Sequence, residues 1–147
     1  MENFDFYAPT YFAFGKDREK DSGSLVKKFG GSKVLIHFGG GSVIRSGLLD
    51  RVKKSLTEAS VNFIELGGVK PNPRSGLVYK GIELCRKEKV DFILAVGGGS
   101  VIDCAKLIVA GATVDEDAWD IVKRKVIPTS ALPLGTVLTL AATASEM

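Results

Sequence analysis

One hexapeptide occurs twice. Gly39-Gly40-Gly41-Ser42-Val43-Ile44 recurs letter for letter as Gly97-Gly98-Gly99-Ser100-Val101-Ile102. Each copy follows an apolar run and opens a segment patterned as helix. Glycine reaches backbone angles that other residues avoid, and without a Cβ its chain can touch a ligand. The first amides of the helix that follows have no acceptor within the helix and lie at the positive end of its dipole. A serine adds a hydroxyl at the cap. Such a loop can cradle a phosphate or pyrophosphate. A tight strand-to-helix turn with serine as N-cap would explain one copy. Two copies at one end of the same sheet point instead to a nucleotide. Neither is a strict GxGxxG, and no Gly-Lys-Ser/Thr follows, so the ordinary dinucleotide and P-loop fingerprints are both absent.

The copies diverge at the next residue, Arg45 after the first and Asp103 after the second. Arg45 would attract a further phosphate, such as the 2′-phosphate of NADP; its bland reading is a solvated arginine at a helix start. Asp103, expected in the first turn of its helix, suits either charge–dipole support or hydrogen bonding near the reactive end of a cofactor.

The elements that must hold these loops can be read from periodicity. Lys33–Phe38, Asn62–Leu66 and Asp91–Val96 are short apolar runs of the kind buried in parallel strands, and one more strand lies around Gly135–Leu140. Thr10–Gly15 is aromatic and β-prone and reads as an N-terminal strand. Between them Asp21–Phe29, Gly47–Ala59, Ser75–Lys89 and Ser100–Ala112 carry apolar residues at helical spacing. Pro71-Asn72-Pro73 is a rigid turn. Strands alternating with helices predict an α/β fold: a Rossmann-like parallel sheet with helices on both faces, joined by right-handed crossovers. Residues 1–147 show no linker or low-complexity tract and read as a single domain. In such sheets ligands sit beyond the carboxyl ends of the strands, where both loops fall.

Bulk properties exclude several classes. A net charge of +3, with lysines and arginines scattered among the acids, does not suit nucleic acid. Cys85 and Cys104 read as buried thiols in helices, without zinc spacing. The uncharged stretch from Val126 to Ser145 is long enough to span a bilayer, but Pro128, Pro133 and Gly135 break it and its β-branched residues suit a strand. No membrane span is expected. The acidic N-terminus lacks an apolar core for a secretory signal, so a reducing, cytoplasmic location is expected.

The run Asp91–Val96 followed by Gly97-Gly98-Gly99-Ser100-Val101-Ile102-Asp103 resembles the Gly-Gly-Gly-Ser-x-x-Asp signature of the iron-containing alcohol dehydrogenase family. Pro9–Gly15 resembles that family's N-terminal strand, Pro71-Asn72-Pro73-Arg74 its Asn-Pro turn, and Pro133–Thr136 through Thr143–Glu146 the segment ending its first domain. The butanol dehydrogenase-like branch, which reduces aldehydes, is the nearest in pattern. Glycerol dehydrogenase and dehydroquinate synthase share a similar glycine motif, but the N-terminal strand and the Pro-Leu-Gly-Thr segment favour the iron-type family.

The resemblance implies the N-terminal, NAD(P)-binding domain of a metal-dependent alcohol dehydrogenase or aldehyde reductase. Gly98, Gly99 and Ser100 would bind the pyrophosphate, with Asp103 toward the nicotinamide. Asn72 would touch the adenosine, and Thr139 and Thr143 would line the cleft. Some members carry an acid at the first loop against the ribose 2′-hydroxyl; here that position is glycine, so NADP is expected over NAD, with Gly40, Gly41 and Ser42 around the 2′-phosphate. Iron or another divalent metal would be held by an aspartate and three histidines of a second, helical domain. This chain's single histidine, His37, lies mid-strand and is expected to be packed rather than ligating. The 147 residues alone are expected to be inactive. A homodimer is implied, with a strand near Tyr11 at or near the contact. The rival reading is a free-standing nucleotide- or phosphate-binding module; a purely structural α/β domain would leave the repeated loops unexplained.

Overall fold

The computed structural model describes residues 3, 5, 7–70, 75–141 and 145. Four parallel strands form one sheet: β1 (Lys33–Phe38), β2 (Asn62–Leu66), β3 (Phe92–Gly97) and β4 (Leu134–Leu138), in the spatial order β2-β1-β3-β4. The helices are α1 (Ser22–Lys28), α2 (Ser42–Arg45), α3 (Leu48–Glu58), α4 (Ser75–Lys87), α5 (Gly99–Gly111) and α6 (Ala118–Val122), and a 3₁₀ turn spans Arg18–Asp21.

Strand alternation divides the core in two. Leu35, Ile93 and Ala95 turn to one face, where Val78, Ile82 and Cys85 of α4 and Ile102, Ala105 and Ile108 of α5 cover them. Val34, Ile36, Leu94 and Val96 turn to the other, against Val26 of α1 and Leu49, Val52 and Leu56 of α3. Burying each valine, leucine or isoleucine side chain contributes about 1.5–3 kcal/mol. α4 and α5 approach closely because Gly81 has no side chain: a Cβ there would lie 2.5 Å from Cδ1 of Ile108. At the amino ends of the strands, the Asp91 carboxylate accepts the amides of Ser32 (2.9 Å) and Lys33 (2.8 Å) and the Ser32 hydroxyl, tying the start of β3 to that of β1.

Three expectations are corrected. Thr10–Gly15 is not a strand: residues 7–14 have no regular structure, and Phe12 and Phe14 are exposed. β propensity measures fit to a pleated, half-buried surface, and neither edge strand pairs with this segment. What holds it is local, the Tyr11 ring edge-on to Phe29 at 5.7 Å and Nζ of Lys28 4.0 Å from the Tyr11 ring centre. The first loop opens only the single turn of α2, because Gly47 adopts φ 71° and resets the chain before α3. α5 begins at Gly99 rather than Ser100, so Asp103 falls just past its first turn. No helix among the described residues is long and apolar enough to cross a membrane.

Candidate functional site

The strand order creates the site. From β1 the chain steps to β2 on one side, then crosses to β3 and β4 on the other. The direction of winding therefore switches between β1 and β3, where a crevice opens beyond the strand ends. Phe38 and Val96 are the last residues paired across that boundary. The two hexapeptides consequently leave the sheet side by side.

The glycines within them differ in their surroundings. Gly97 has φ 156°, and a Cβ there would lie 2.6 Å from Cγ2 of Val101. A Cβ on Gly39 would lie 3.4 Å from the same methyl, so Val101 packs beneath both loops. Gly40 and Gly98 face open space, with no atom within 4 Å of where a Cβ would stand. These are the positions at which a ligand can meet bare backbone. A Cβ on Gly41 would run into the guanidinium of Arg45, which folds back over the loop.

Capping is by backbone. Gly98 is the N-cap of α5, in extended conformation, and its carbonyl accepts the amides of Val101 (3.0 Å) and Ile102 (3.2 Å). Neither helix start carries a side-chain cap, so the serine hydroxyls of Ser42 and Ser100 do not serve as N-caps, contrary to expectation. The amides of Gly99 and Ser100 precede the first amide bonded within the helix, that of Val101, and have no partner in the helix. Thr139 is brought to the second loop, its amide donating to the Gly97 carbonyl at 3.0 Å. Asp103 is exposed on α5. Asn72 and Thr143 lie outside the described residues.

One neighbour had no motif to mark it. The segment leaving β2 folds against the first loop: the Gly68 amide donates to Gly39 O (3.2 Å) and the Val69 amide to Phe38 O (3.3 Å). The next residue is Lys70, exposed like Arg45. The available signal was positional, a cation at the carboxyl end of a parallel strand.

Titratable groups beneath the site are neutral. His37 is fully buried, with Nδ1 2.9 Å from the Leu66 carbonyl. Nδ1–H donates there, leaving Nε2 a buried acceptor without a partner. Burial pushes the imidazole pKa below its ordinary value, and the bond to Leu66 opposes this only in part. Desolvation raises the Cys85 thiol to about 12 and the Cys104 thiol to about 11, so both stay protonated and unreactive. Among the described residues no three His, Cys, Asp or Glu side chains group as metal ligands. With the one histidine committed to a strand carbonyl, these residues do not fit a metal centre. A cavity of about 1260 Å³ runs along the free edge of β4 and includes Thr139 but none of the loop glycines. It marks an unpaired sheet edge rather than the crevice between the loops.

The family model described as iron-containing alcohol dehydrogenase matches residues 9–147. The chain belongs to this family. It is 52% identical over 147 residues to a probable NADH-dependent butanol dehydrogenase of Bacillus subtilis, covering 100% of this chain and 38% of that protein. It is 43% identical over 150 residues to an NADPH-dependent aldehyde reductase of Escherichia coli, covering 99% and 38%. The crystal structure of NADH-dependent butanol dehydrogenase A from Thermotoga maritima superposes with a TM-score of 0.94 at 43% identity, covering 97% of this chain and 36% of that one. The chain thus spans a little over a third of the length of these iron-containing alcohol dehydrogenases and corresponds to their N-terminal portion. Its Rossmann-like parallel sheet is the family's own fold.

Proposed function

We propose that residues 1–147 form a single nicotinamide-dinucleotide-binding domain of a metal-dependent alcohol dehydrogenase or aldehyde reductase. The observation that carries this reading is the meeting of two identical glycine loops at the β1/β3 switch, with Gly40 and Gly98 open to a ligand. The pyrophosphate lies over Gly98, Gly99 and Ser100, with the Gly99 and Ser100 amides, which have no partner in the helix, toward the anion. Thr139, held to Gly97 by its amide, lines the cleft, and the family resemblance adds Thr143 to it. Asn72 meets the adenosine, and Asp103 stands toward the nicotinamide. The bound dinucleotide supplies hydride exchange with an alcohol or aldehyde carbon; the residues of this chain hold and orient it.

The preferred cofactor is NADP, with Gly40, Gly41 and Ser42 around its 2′-phosphate. The named relatives divide between NADH and NADPH, so the preference rests on this chain's own first loop. That loop has no carboxylate to repel a phosphate. Iron or another divalent metal is bound by residues beyond these 147. A homodimer in the cytoplasm completes the reading.

The test is an assay of the full-length protein with a short aldehyde, a divalent metal and NADPH or NADH. Oxidation of the nucleotide, faster with NADPH at equal subsaturating concentrations, is the expected result. Nucleotide binding with no aldehyde reduction under any metal would return the free-standing binding module. Absence of binding would remove the reading altogether.

A further inference from the structure

Two basic residues, Arg45 and Lys70, follow segments that contact the first glycine loop. Arg45 ends the helical turn that follows the loop, and its guanidinium lies over Gly41. Lys70 follows the β2 exit whose Gly68 and Val69 amides are hydrogen-bonded to Gly39 and Phe38. Both are exposed, and among the described residues neither has an ion-pair partner. The acidic residue on β2 itself, Glu65, is engaged by Lys53 at 3.0 Å. Two uncompensated cations therefore flank a loop whose central glycine, Gly40, faces open space.

A phosphate monoester carries nearly two negative charges and three acceptor oxygens at neutral pH. Guanidinium offers it a planar fork of donors and ammonium a mobile point charge. We propose that Arg45 and Lys70 together form the site for the 2′-phosphate of NADP and set the cofactor preference. The proposal rests on the cofactor reading above and adds to it a residue, Lys70, that no glycine motif contains. Among the described residues the second loop has no equivalent pair: Asp103 takes the place of Arg45, and the Val101 and Ile102 side chains beside it are buried. The asymmetry between the identical hexapeptides thus lies in the charges around them.

The experiment measures dissociation constants for NADP and NAD on the full-length protein by fluorescence titration of the reduced forms. The variants are Arg45→Ala, Lys70→Ala, the double variant, Lys70→Glu, and Lys54→Ala as an exposed-lysine control on α3. The NADP-to-NAD affinity ratio is expected to fall about tenfold for each cation removed, as loss of one charge-assisted contact implies. Lys70→Glu lowers it further, Lys54→Ala leaves it unchanged, and the wild-type ratio shrinks as salt is raised. A ratio unchanged in the double variant, with both nucleotides still bound, overturns this proposal and leaves the cofactor reading standing. Failure of the wild-type protein to bind either nucleotide overturns both.

Discussion

Gly97 and Gly98 are adjacent yet face opposite surroundings, which separates folding from binding at the scale of single residues. A side chain on Gly97 meets Val101 and must adopt φ 156°. Gly97→Ala should therefore cost about 1–3 kcal/mol of stability, read as a lower urea midpoint. Gly98 has φ −95° and ψ −168°, open to any residue, with empty space before it. Gly98→Val should keep the wild-type midpoint and lose nucleotide affinity by two orders of magnitude or more, on the order of a displaced pyrophosphate. A Gly98→Val protein that binds as wild type does would show that the second loop is not a cradle. His37 makes a different prediction. Burial lowers its folded pKa below 6.5, so below pH 6.5 the unfolded chain binds a proton that the folded chain refuses. Stability is full above that pH and falls as pH drops through it, with a slope of at most one proton. Urea midpoints between pH 7.5 and 5.5 should show this slope, and His37→Leu should flatten it. At this scale the glycines and serines were legible because composition alone marks them. The separate duties of Gly97 and Gly98 were not, since they depend on where Val101 packs. Lys70 was invisible for a similar reason: the Gly68–Gly39 and Val69–Phe38 hydrogen bonds bring the segment before it to the loop.

At the scale of elements, the four strands and the four long helices were readable within a residue or two. Parallel strands buried on both faces are continuous apolar runs, and helices that cover them carry one apolar stripe. The exceptions have physical causes. Thr10–Gly15 has strand composition, but a strand forms only by pairing, and neither edge strand, β2 or β4, pairs with it. α2 and α6 are single turns too short to show a period; α6 is specified by its cap, the Asp117 carboxylate accepting the Trp119 amide at 2.8 Å. Asp91 shows how one side chain can align two elements. Asp91→Ala strips acceptors from the Ser32 and Lys33 amides at the head of β1, which water can partly replace. A loss of about 1–2 kcal/mol is expected in urea denaturation, with nucleotide affinity at the far end of the sheet unaltered. Wild-type stability in this variant would mean that strand packing alone sets the register of β1 and β3.

At the scale of the molecule, the sheet order does what neither loop could do alone. Reversal of winding between β1 and β3 turns two separate turns into the walls of one crevice. The repetition of the hexapeptide was plain in the sequence; that the copies lie on adjacent strands was implied by the alternation of elements and settled only by the order β2-β1-β3-β4. The same organisation limits what these residues can do. On the function proposed above they bind and orient a dinucleotide, and their one histidine is locked to the Leu66 carbonyl. The 147-residue chain prepared alone should reduce no aldehyde with any divalent metal and either nucleotide; turnover by it would show that a catalytic set exists within these residues. The most direct test of the central claim is a crystal structure of the full-length protein with a nicotinamide dinucleotide bound. The pyrophosphate is expected within hydrogen-bond distance of the Gly99 and Ser100 amides, over Gly98, with the adenosine end extending toward Gly40. A dinucleotide seated elsewhere, such as in the groove along β4, with the space before Gly98 filled by water, would contradict it.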